Sequence, residues 1–133
     1  MLVESELARL ILTDMSSQQI VVLKEKEGPR AFPIVIGFFE AMAIDRQLKG
    51  LQVERPLTHD LLKSTIEEMG GRLSRIVVND LRDNTFFAYL EVALDGQTVR
   101  IDSRPSDALA LAVRTNAAIY IDDKVFGLAA ASA

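Results

Sequence analysis

Two short segments of this chain repeat one pattern of residue types that could bind phosphate or support hydrolysis. Residues 55–60 read RPLTHD and residues 104–107 read RPSD, so in each an Arg-Pro pair is followed by a hydroxyl and an acid. An apolar run with helical spacing follows each segment, which predicts that both segments lie at helix starts. A helix N-terminus attracts anions because its first N–H groups are unpaired and its dipole is positive there. The pattern therefore points to a site for an anionic group.

Helix formation alone explains part of this pattern. A proline suits the first helical turn, where its missing N–H costs nothing. A hydroxyl can accept an N–H at the helix cap, and an acid in the first turn complements the dipole. This explanation covers Pro56, Thr58 and Asp60 in the first segment and Pro105, Ser106 and Asp107 in the second.

The two arginines of the pattern are not explained by capping, because a cation near the positive end of a helix is unfavourable. Arg55 and Arg104 each need an anionic partner. One candidate is the acid of the other segment, in a bidentate ion pair. The other candidate is a bound phosphate, and in that case the phosphate-binding residues are Arg55, Arg104, Thr58 and Ser106. The residues by themselves leave both alternatives open.

His59, between Thr58 and Asp60, is the only histidine of the chain. The dipole of a helix start favours the neutral imidazole, which can act as a general base or as a metal ligand. We therefore predict that His59, Asp60 and Asp107 are catalytic. The alternative is that His59 makes only a local hydrogen bond.

Four carboxylates are candidate ligands for a divalent metal. Glu40 lies near the start of another predicted helix among apolar neighbours, and Asp102 lies two residues before the second segment. With Asp60 and Asp107 they form an oxygen-rich set, which suits Mg²⁺ or Mn²⁺ better than zinc. Their spacing matches no established metal motif. The sequence therefore offers candidate ligands but does not show that they lie close together.

Composition and charge restrict the class of protein. The chain has 133 residues, 49% hydrophobic and 26% charged, which is typical of a globular domain. It contains no cysteine, so disulfides, thiolate metal sites and cysteine nucleophiles are excluded. The acidic start of the chain and the absence of an apolar run near about 20 residues predict a cytoplasmic protein that does not enter a membrane. The net charge of −4 means that nucleic-acid binding would need a local arginine cluster or a bridging metal.

The hydrophobic patterning predicts one α+β domain over residues 1–133, with a twisted, mainly antiparallel sheet and three helices. Because proline cannot donate to a ladder, Pro33 predicts that its strand lies at an edge or that this position faces away from a partner strand. Asp95-Gly96 predicts a two-residue hairpin turn, a polar turn is expected at 16–19, and 127–133 is expected to be frayed or docked. The predicted strands are a poorly alternating aliphatic segment at 7–12 and the segments 20–23, 31–36, 73–81, 85–94, 98–102 and 118–121. The predicted helices are 38–49, 58–69 and 105–114.

Three motifs, at residues 32–37 (FPIVIG), 55–62 (RPLTHDLL) and 101–108 (IDSRPSDA), resemble in order and spacing those of the bifunctional nuclease domain family. The resemblance extends from the first hairpin to about Val125. It implies a nuclease that acts on DNA and RNA, with a divalent metal as its expected cofactor. It supplies no residue roles, so the assignments above rest on chemistry.

The alternative function is a non-catalytic oligomeric module that binds an anionic ligand or a protein partner. The acidic net charge and the capping explanation favour this alternative. Under either function we expect a homo-oligomer, because four phenylalanines supply more apolar surface than a small core readily hides. They are Phe38, Phe39, Phe86 and Phe87.

Overall fold

The computed structural model describes residues 1–13 and 18–132, and in this part of the chain it contains seven strands and four helices. The predicted α+β class is confirmed. Residues 16 and 17 of the polar turn predicted at 16–19 lie outside the described residues. The elements are β1 (Leu2–Ile11), β2 (Gln19–Glu25), β3 (Ala31–Ile36), α1 (Phe38–Leu48), α2 (Thr58–Glu68), β4 (Arg72–Arg82), β5 (Thr85–Leu94), β6 (Gln97–Ser103), α3 (Pro105–Thr115), β7 (Ala118–Asp122) and α4 (Asp123–Ala131).

All seven strands form one sheet in the order β3-β2-β1-β7-β4-β5-β6. Every neighbouring pair is antiparallel except β4 and β7, which run parallel, so the mainly antiparallel sheet is confirmed. Strand β3, which contains Pro33, lies at one edge as predicted, and β6 lies at the other. The two edges are the strands from which α1 and α3 begin.

Two tight turns fix the register of the β4–β5–β6 meander. Asp95 and Gly96 both have positive φ, 52° and 74°, which is the requirement of a type I′ hairpin turn. Asp83 and Asn84, between β4 and β5, also have positive φ. The predicted Asp95-Gly96 hairpin is therefore confirmed, and β6 is placed so that its last residue leads directly into α3.

The hydrophobic core lies on one face of the sheet, under the helices. Alternate residues of β3, namely Phe32, Ile34 and Ile36, are buried and the residues between them are exposed. The core joins this face to α1, α3 and α4. Helix α3 contributes most, with seven buried residues, whereas α2 has none.

The prediction of three helices is wrong, because most of the C-terminal segment is a fourth helix, α4. Asp122 caps this helix by accepting a hydrogen bond from the Lys124 backbone N–H at 3.2 Å. Val125 and Phe126 are buried. Burial of this first turn stabilises the helix, although the small residues and Gly127 of the segment did not predict one.

Strand β1 begins at Leu2, five residues before the predicted segment 7–12. Its register with β2 shifts between Leu7 and Arg9, which marks a β-bulge. A bulge inserts one residue and reverses the inside–outside alternation beyond it. The sequence of β1 therefore alternates poorly although the strand is regular on both sides of the bulge. No helix in the described part of the chain is long and apolar enough to cross a membrane.

Candidate functional site

The starts of three helices meet on one side of the molecule. Helix α1 follows β3 through Gly37, α2 follows an exposed loop, and α3 follows β6 directly. Helices α1 and α2 both pack against α3. This packing brings Glu40 of α1, His59 of α2 and Asp107 of α3 to the same place, although up to 67 positions in the sequence separate them.

A continuous chain of polar contacts joins these helix starts. Arg104 donates from Nε to Asp107 Oδ2 at 2.8 Å, and its guanidinium also pairs with Glu40 Oε2 at 3.0 Å. The other oxygen of Asp107, Oδ1, lies 2.9 Å from His59 Nε2. We call this set of four residues, Glu40, Arg104, Asp107 and His59, the polar ridge. His59 is 13% exposed in its side chain and Arg104 is 67% exposed, so the ridge has a sheltered end and an open end.

The charge of Asp107 fixes the role of the imidazole. Burial raises the pKa of Asp107, but the hydrogen bonds from Arg104 and His59 outweigh burial, and the pKa lies below its ordinary value. At neutral pH Asp107 is therefore a carboxylate that can only accept. In the neutral imidazole, Nε2 must then carry the hydrogen, and Nδ1 is left as the acceptor atom. This is the arrangement in which a carboxylate orients a histidine that acts as a base.

Asp60 lies next to His59 in the sequence but outside this ridge. Its Oδ1 accepts from Arg114 Nε at 2.7 Å, and its Oδ2 accepts the backbone N–H of Leu57 at 3.0 Å. Arg114 is 4% exposed and also donates to the carbonyls of Ala110 and Ala43. Burial raises the pKa of Asp60, but the hydrogen bonds from Arg114 and Leu57 lower it by more. The pKa of Asp60 therefore lies below its ordinary value. Asp60 thereby anchors α2 to α3 and α1.

The capping roles predicted for the hydroxyl residues are wrong. Leu57 is the N-cap of α2 and Arg104 is the N-cap of α3, and neither helix has a hydroxyl cap. Thr58 is the first residue of α2, and Ser106 is a buried residue inside the first turn of α3. The acid predicted in each first turn is present, and at α2 the Asp60 side chain bonds the backbone N–H of the N-cap residue.

Only one of the two prolines occupies its predicted position in the first turn of a helix. Pro105 occupies the first position of α3, as predicted, and is buried. Pro56 precedes the N-cap of α2 and is exposed, so the prediction that it lies in the first turn is wrong.

The arginines of the two segments do not form the predicted pairs with each other's acids. Arg104 pairs with Asp107 of its own segment and with Glu40, and the contact between the segments is made by His59 instead. Arg55 is exposed and has no ion pair or hydrogen bond to the described residues. Its assignment to phosphate binding stays a prediction.

Two clefts open on either side of the polar ridge, and His59, Arg104 and Asp107 line both. The first cleft, of about 690 Å³, lies between α2 and strands β5 and β6. Thr58 lines both clefts, and Asp102, which is exposed, lies in the wall of the first. The second cleft, of about 800 Å³, lies between the starts of α1 and α2. Ser106 lines neither of these two clefts.

The predicted metal ligands do not form a metal-binding group as they are arranged. Within residues 1–13 and 18–132, no three or more histidine and acidic side chains lie together in a way that could hold a metal ion. The cation between Glu40 and Asp107 is the guanidinium of Arg104, and Asp60 is held by Arg114. These residues therefore do not fit a resident Mg²⁺ or Mn²⁺, and we assign no catalytic step to a metal.

Two arginines that contribute to this region were not predicted from the sequence. Arg114, in the last turn of α3, is 54 residues from its partner Asp60, and nothing in the sequence pairs them. Arg46 of α1 lines the second cleft, and its buried Nε has no hydrogen-bond partner in the described part of the chain. Basic residues near helix C-termini are common, because they complement the dipole, so their sequence positions alone carried no functional signal.

Comparison with known proteins places these features in a family. The bifunctional nuclease domain family matches residues 21–133. An uncharacterized protein of Mycobacterium tuberculosis is 36% identical over 113 residues, covering 85% of this chain and 67% of the relative. Bifunctional nuclease 1 of Oryza sativa subsp. japonica is 23% identical over 120 residues, and bifunctional nuclease 1 of Arabidopsis thaliana is 26% identical over 115.

The coverage of these matches is unequal. The two plant matches cover 87% and 84% of this chain but only 36% and 35% of the plant proteins. What the plant proteins do as a whole is therefore not transferred with the match. The family match spans all three helix starts of the polar ridge and most of the sheet. This chain belongs to the bifunctional nuclease domain family.

Proposed function

We propose that this chain is a nuclease that hydrolyses phosphodiester bonds of DNA and RNA at the polar ridge. The observation that carries the proposal is the contact chain from Glu40 through Arg104 and Asp107 to His59, which separates two open clefts. It joins an oriented histidine to an exposed arginine. Membership of the family and the names of its plant relatives support the same reaction.

In this proposal the histidine removes a proton and the arginine binds phosphate. The oxygen of the attacking water bonds to phosphorus as the P–O bond to the leaving nucleoside oxygen breaks. Nδ1 of His59 accepts the proton of the water, Asp107 stabilises the imidazolium that forms, and the imidazolium returns the proton to the leaving oxygen. Arg104 uses Nε for Asp107 and one Nη for Glu40, so three of its five N–H groups remain for phosphate oxygens. Charge that develops on those oxygens is stabilised by the guanidinium and by the N-terminus of α2 at Thr58.

Two further roles are parts of the proposal. Arg55, exposed in the loop before α2, binds a phosphate farther along the same strand. Asp60 acts indirectly, because its bond to Arg114 holds α2 and so positions His59. A dependence on Mg²⁺ or Mn²⁺ remains a prediction from the family resemblance, and it requires that the side chains rearrange around the ion.

The test is cleavage of fluorescent DNA and RNA oligonucleotides by the wild type and by His59→Ala and Asp107→Asn. Loss of a general base lowers the rate by about 10²–10⁴-fold. Arg100→Ala is the control, because the Arg100 side chain is 65% exposed against 67% for Arg104 but lines neither cleft. Each protein is assayed in EDTA and with added Mg²⁺ or Mn²⁺. Equal cleavage by all four proteins would identify a contaminating nuclease and refute the proposal.

A second candidate function, anion binding without hydrolysis, is favoured by one observation. Each carboxylate of the helix starts is already held by an arginine, so the ridge is stable without a metal or substrate. A wild-type protein that binds oligonucleotides but leaves them intact in every buffer supports this candidate. Measurable cleavage that disappears in His59→Ala excludes it.

We also propose that the chain forms a homo-oligomer. Phe39, at 81% exposure, and Leu61 of α2 lie in the wall of the second cleft with their side chains in solvent. Two of the four phenylalanines expected in the interface do not contribute, because Phe86 stacks on Phe32 and Phe87 lies under the Arg82 guanidinium. Sedimentation equilibrium of the wild type and of Phe39→Ser tests this proposal, and a monomeric wild type contradicts it.

A further inference from the structure

The two clefts beside the polar ridge differ in chemical character. The second cleft is lined by three arginines, Arg46, Arg104 and Arg114, and by the carboxylates of Glu40 and Asp107. The first cleft has an apolar floor and walls formed by Leu62, Ile66, Phe86, Leu90, Ile101 and Leu111. A group that binds across the ridge therefore meets three arginines and two carboxylates beside Phe39 and Leu61 on one side, and a mainly apolar surface on the other.

The apolar cleft is built from rigid elements. Leu90 and Leu111 at its floor are buried core residues of β5 and α3. Its walls are Leu62 and Ile66 on α2 and Ile101 on the edge strand β6. Besides the ridge residues, its polar lining residues are Thr58, Thr85, Asp102 and Ser103. A preformed apolar cleft with a few polar groups at its edge is the usual form of a small-ligand site.

We infer that this cleft binds the base of an unpaired nucleotide whose phosphate lies on Arg104, so that the site takes single-stranded nucleic acid. The inference rests on the proposed function for the position of the phosphate. A nucleotide joins a charged group to a flat, largely apolar ring with a polar edge. That combination matches the ridge, the apolar floor and the polar lining residues of the first cleft.

The single-strand requirement follows from where the base must go. In a duplex both faces of a base are stacked and its edge is paired, so it cannot enter a cleft without leaving the helix. Only the phosphates of a duplex could reach Arg104, and the net charge of −4 gives the chain little general attraction for a polyanion. Placing one unpaired base on an apolar surface provides affinity that does not depend on net charge.

The experiment measures equilibrium binding by fluorescence anisotropy in EDTA, where the labelled oligonucleotide is first shown to stay intact. The probes are a short single-stranded DNA, the same strand with abasic sites, and a hairpin duplex of the same length. The inference predicts that the single strand binds about tenfold more tightly than either of the other two probes. Equal affinity for the base-containing and abasic strands overturns it, as does the absence of binding to all three.

Two variants test whether the base lies in this cleft. Ile101→Thr removes apolar surface from one wall, and Leu62→Gln does the same from the opposite wall. Each is expected to weaken binding of the base-containing strand by about threefold or more while leaving the abasic strand unchanged. Val99→Thr is the control, because Val99 lies on the same strand, is 38% exposed against 41% for Ile101, and does not line the cleft.

The failure of this inference is separable from the failure of the proposed function. If the wild type cleaves nothing but prefers the base-containing strand, and Ile101→Thr removes that preference, the base site is supported and hydrolysis is refuted. If the wild type cleaves DNA and RNA but binds abasic and normal strands equally, hydrolysis is supported and the base site is refuted. A loss of affinity for both strands in Ile101→Thr and in Leu62→Gln also refutes the base site.

Discussion

The starts of α2 and α3 have the same order of residue types in the sequence but different structures. At α3, the arginine is the N-cap, the proline is the first helical residue, and the acid belongs to the polar ridge. At α2, the arginine is exposed in a loop, the proline precedes the cap, and the acid bonds the buried Arg114. The difference shows that a repeated pattern of residue types does not fix a repeated role.

The cause of the difference is how deeply each helix is buried. Helix α3 is a core helix with seven buried residues, so its start is held rigidly against the sheet. Helix α2 has no buried residue and lies on the outside of α3. A peripheral helix needs a specific anchor to hold His59 in place, and the Asp60–Arg114 pair provides it. The acid of α2 therefore bonds an arginine of the core helix, while the acid of α3 bonds His59 and Arg104.

The largest expected effect is on stability, from removal of the α2 anchor. Arg114→Met leaves the Asp60 carboxylate and the carbonyls of Ala43 and Ala110 without their donor. Breaking a buried ion pair by removing one partner typically costs about 3–5 kcal/mol, and we expect the lower end because Asp60 is partly exposed. Urea denaturation measures the free energy of unfolding.

The control for this experiment is Arg100→Met, since Arg100 is exposed and its interactions are a 3.5 Å pair with Glu91 and a cation–π contact with Tyr89. An exposed pair contributes at most about 1 kcal/mol. If Arg114→Met and Arg100→Met destabilise the protein equally, the anchor is not what distinguishes α2 from α3.

A pH dependence is the next largest expected effect, and it applies to both helix starts. The pKa values of Asp60 and Asp107 lie below their ordinary value of 3.8 in the folded chain. Each carboxylate therefore contributes stability that is fully present above pH 3.8 and is lost as the pH falls through the lowered pKa.

Urea denaturation of the wild type, Asp60→Asn and Asp107→Asn at pH 7 and at pH 2 measures this contribution. We expect each variant to be less stable than the wild type at pH 7, Asp60→Asn more so, and both deficits to shrink at pH 2. Asn84→Gly in the β4–β5 turn carries no titratable change and serves as the control. A deficit that stays constant between the two pH values would mean that the carboxylate charge does not stabilise the fold.

The smallest expected effect compares the two arginines of the repeated pattern. Arg104 is 67% exposed, so Arg104→Ala should lower the free energy of unfolding by no more than about 1 kcal/mol, although it breaks two ion pairs. Arg55→Ala should change it by less than about 0.5 kcal/mol, because Arg55 has no ion pair with the described residues. Both variants should nevertheless bind oligonucleotides more weakly than the wild type. A strongly destabilised Arg104→Ala would show that Arg104 serves the fold rather than the ligand.

Much of the fold could be predicted because local signals agreed with the tertiary structure. The Asp95-Gly96 turn, the edge strand with Pro33 and the ends of α1 and α2 at Gly50 and Gly70 all follow from backbone chemistry. Both glycines have positive φ just after the helix caps, where glycine is favoured. The two misses, the start of β1 and helix α4, occurred where a bulge broke the alternation and where burial outweighed weak helix signals.

The candidate site could be predicted in part, and its pairing could not. Glu40, His59, Arg104 and Asp107 were all named as candidates from their residue types and their places near helix starts. Asp60 was a candidate on the same grounds, but it bonds Arg114, a residue that no sequence pattern indicated. The sequence showed which side chains could do chemistry but not which of them would meet.

The sequence by itself determined the fold class, the starts of α1, α2 and α3, and the family, because these depend on local periodicity, turn residues and motif order. Only the tertiary structure decided that Asp107 orients His59, that Asp60 anchors α2, and that an apolar cleft lies beside the ridge. The physical reason is that these contacts join residues about 50 positions apart on different helices. Their distances are set by how α1 and α2 pack on α3, and no local property of the chain encodes that packing.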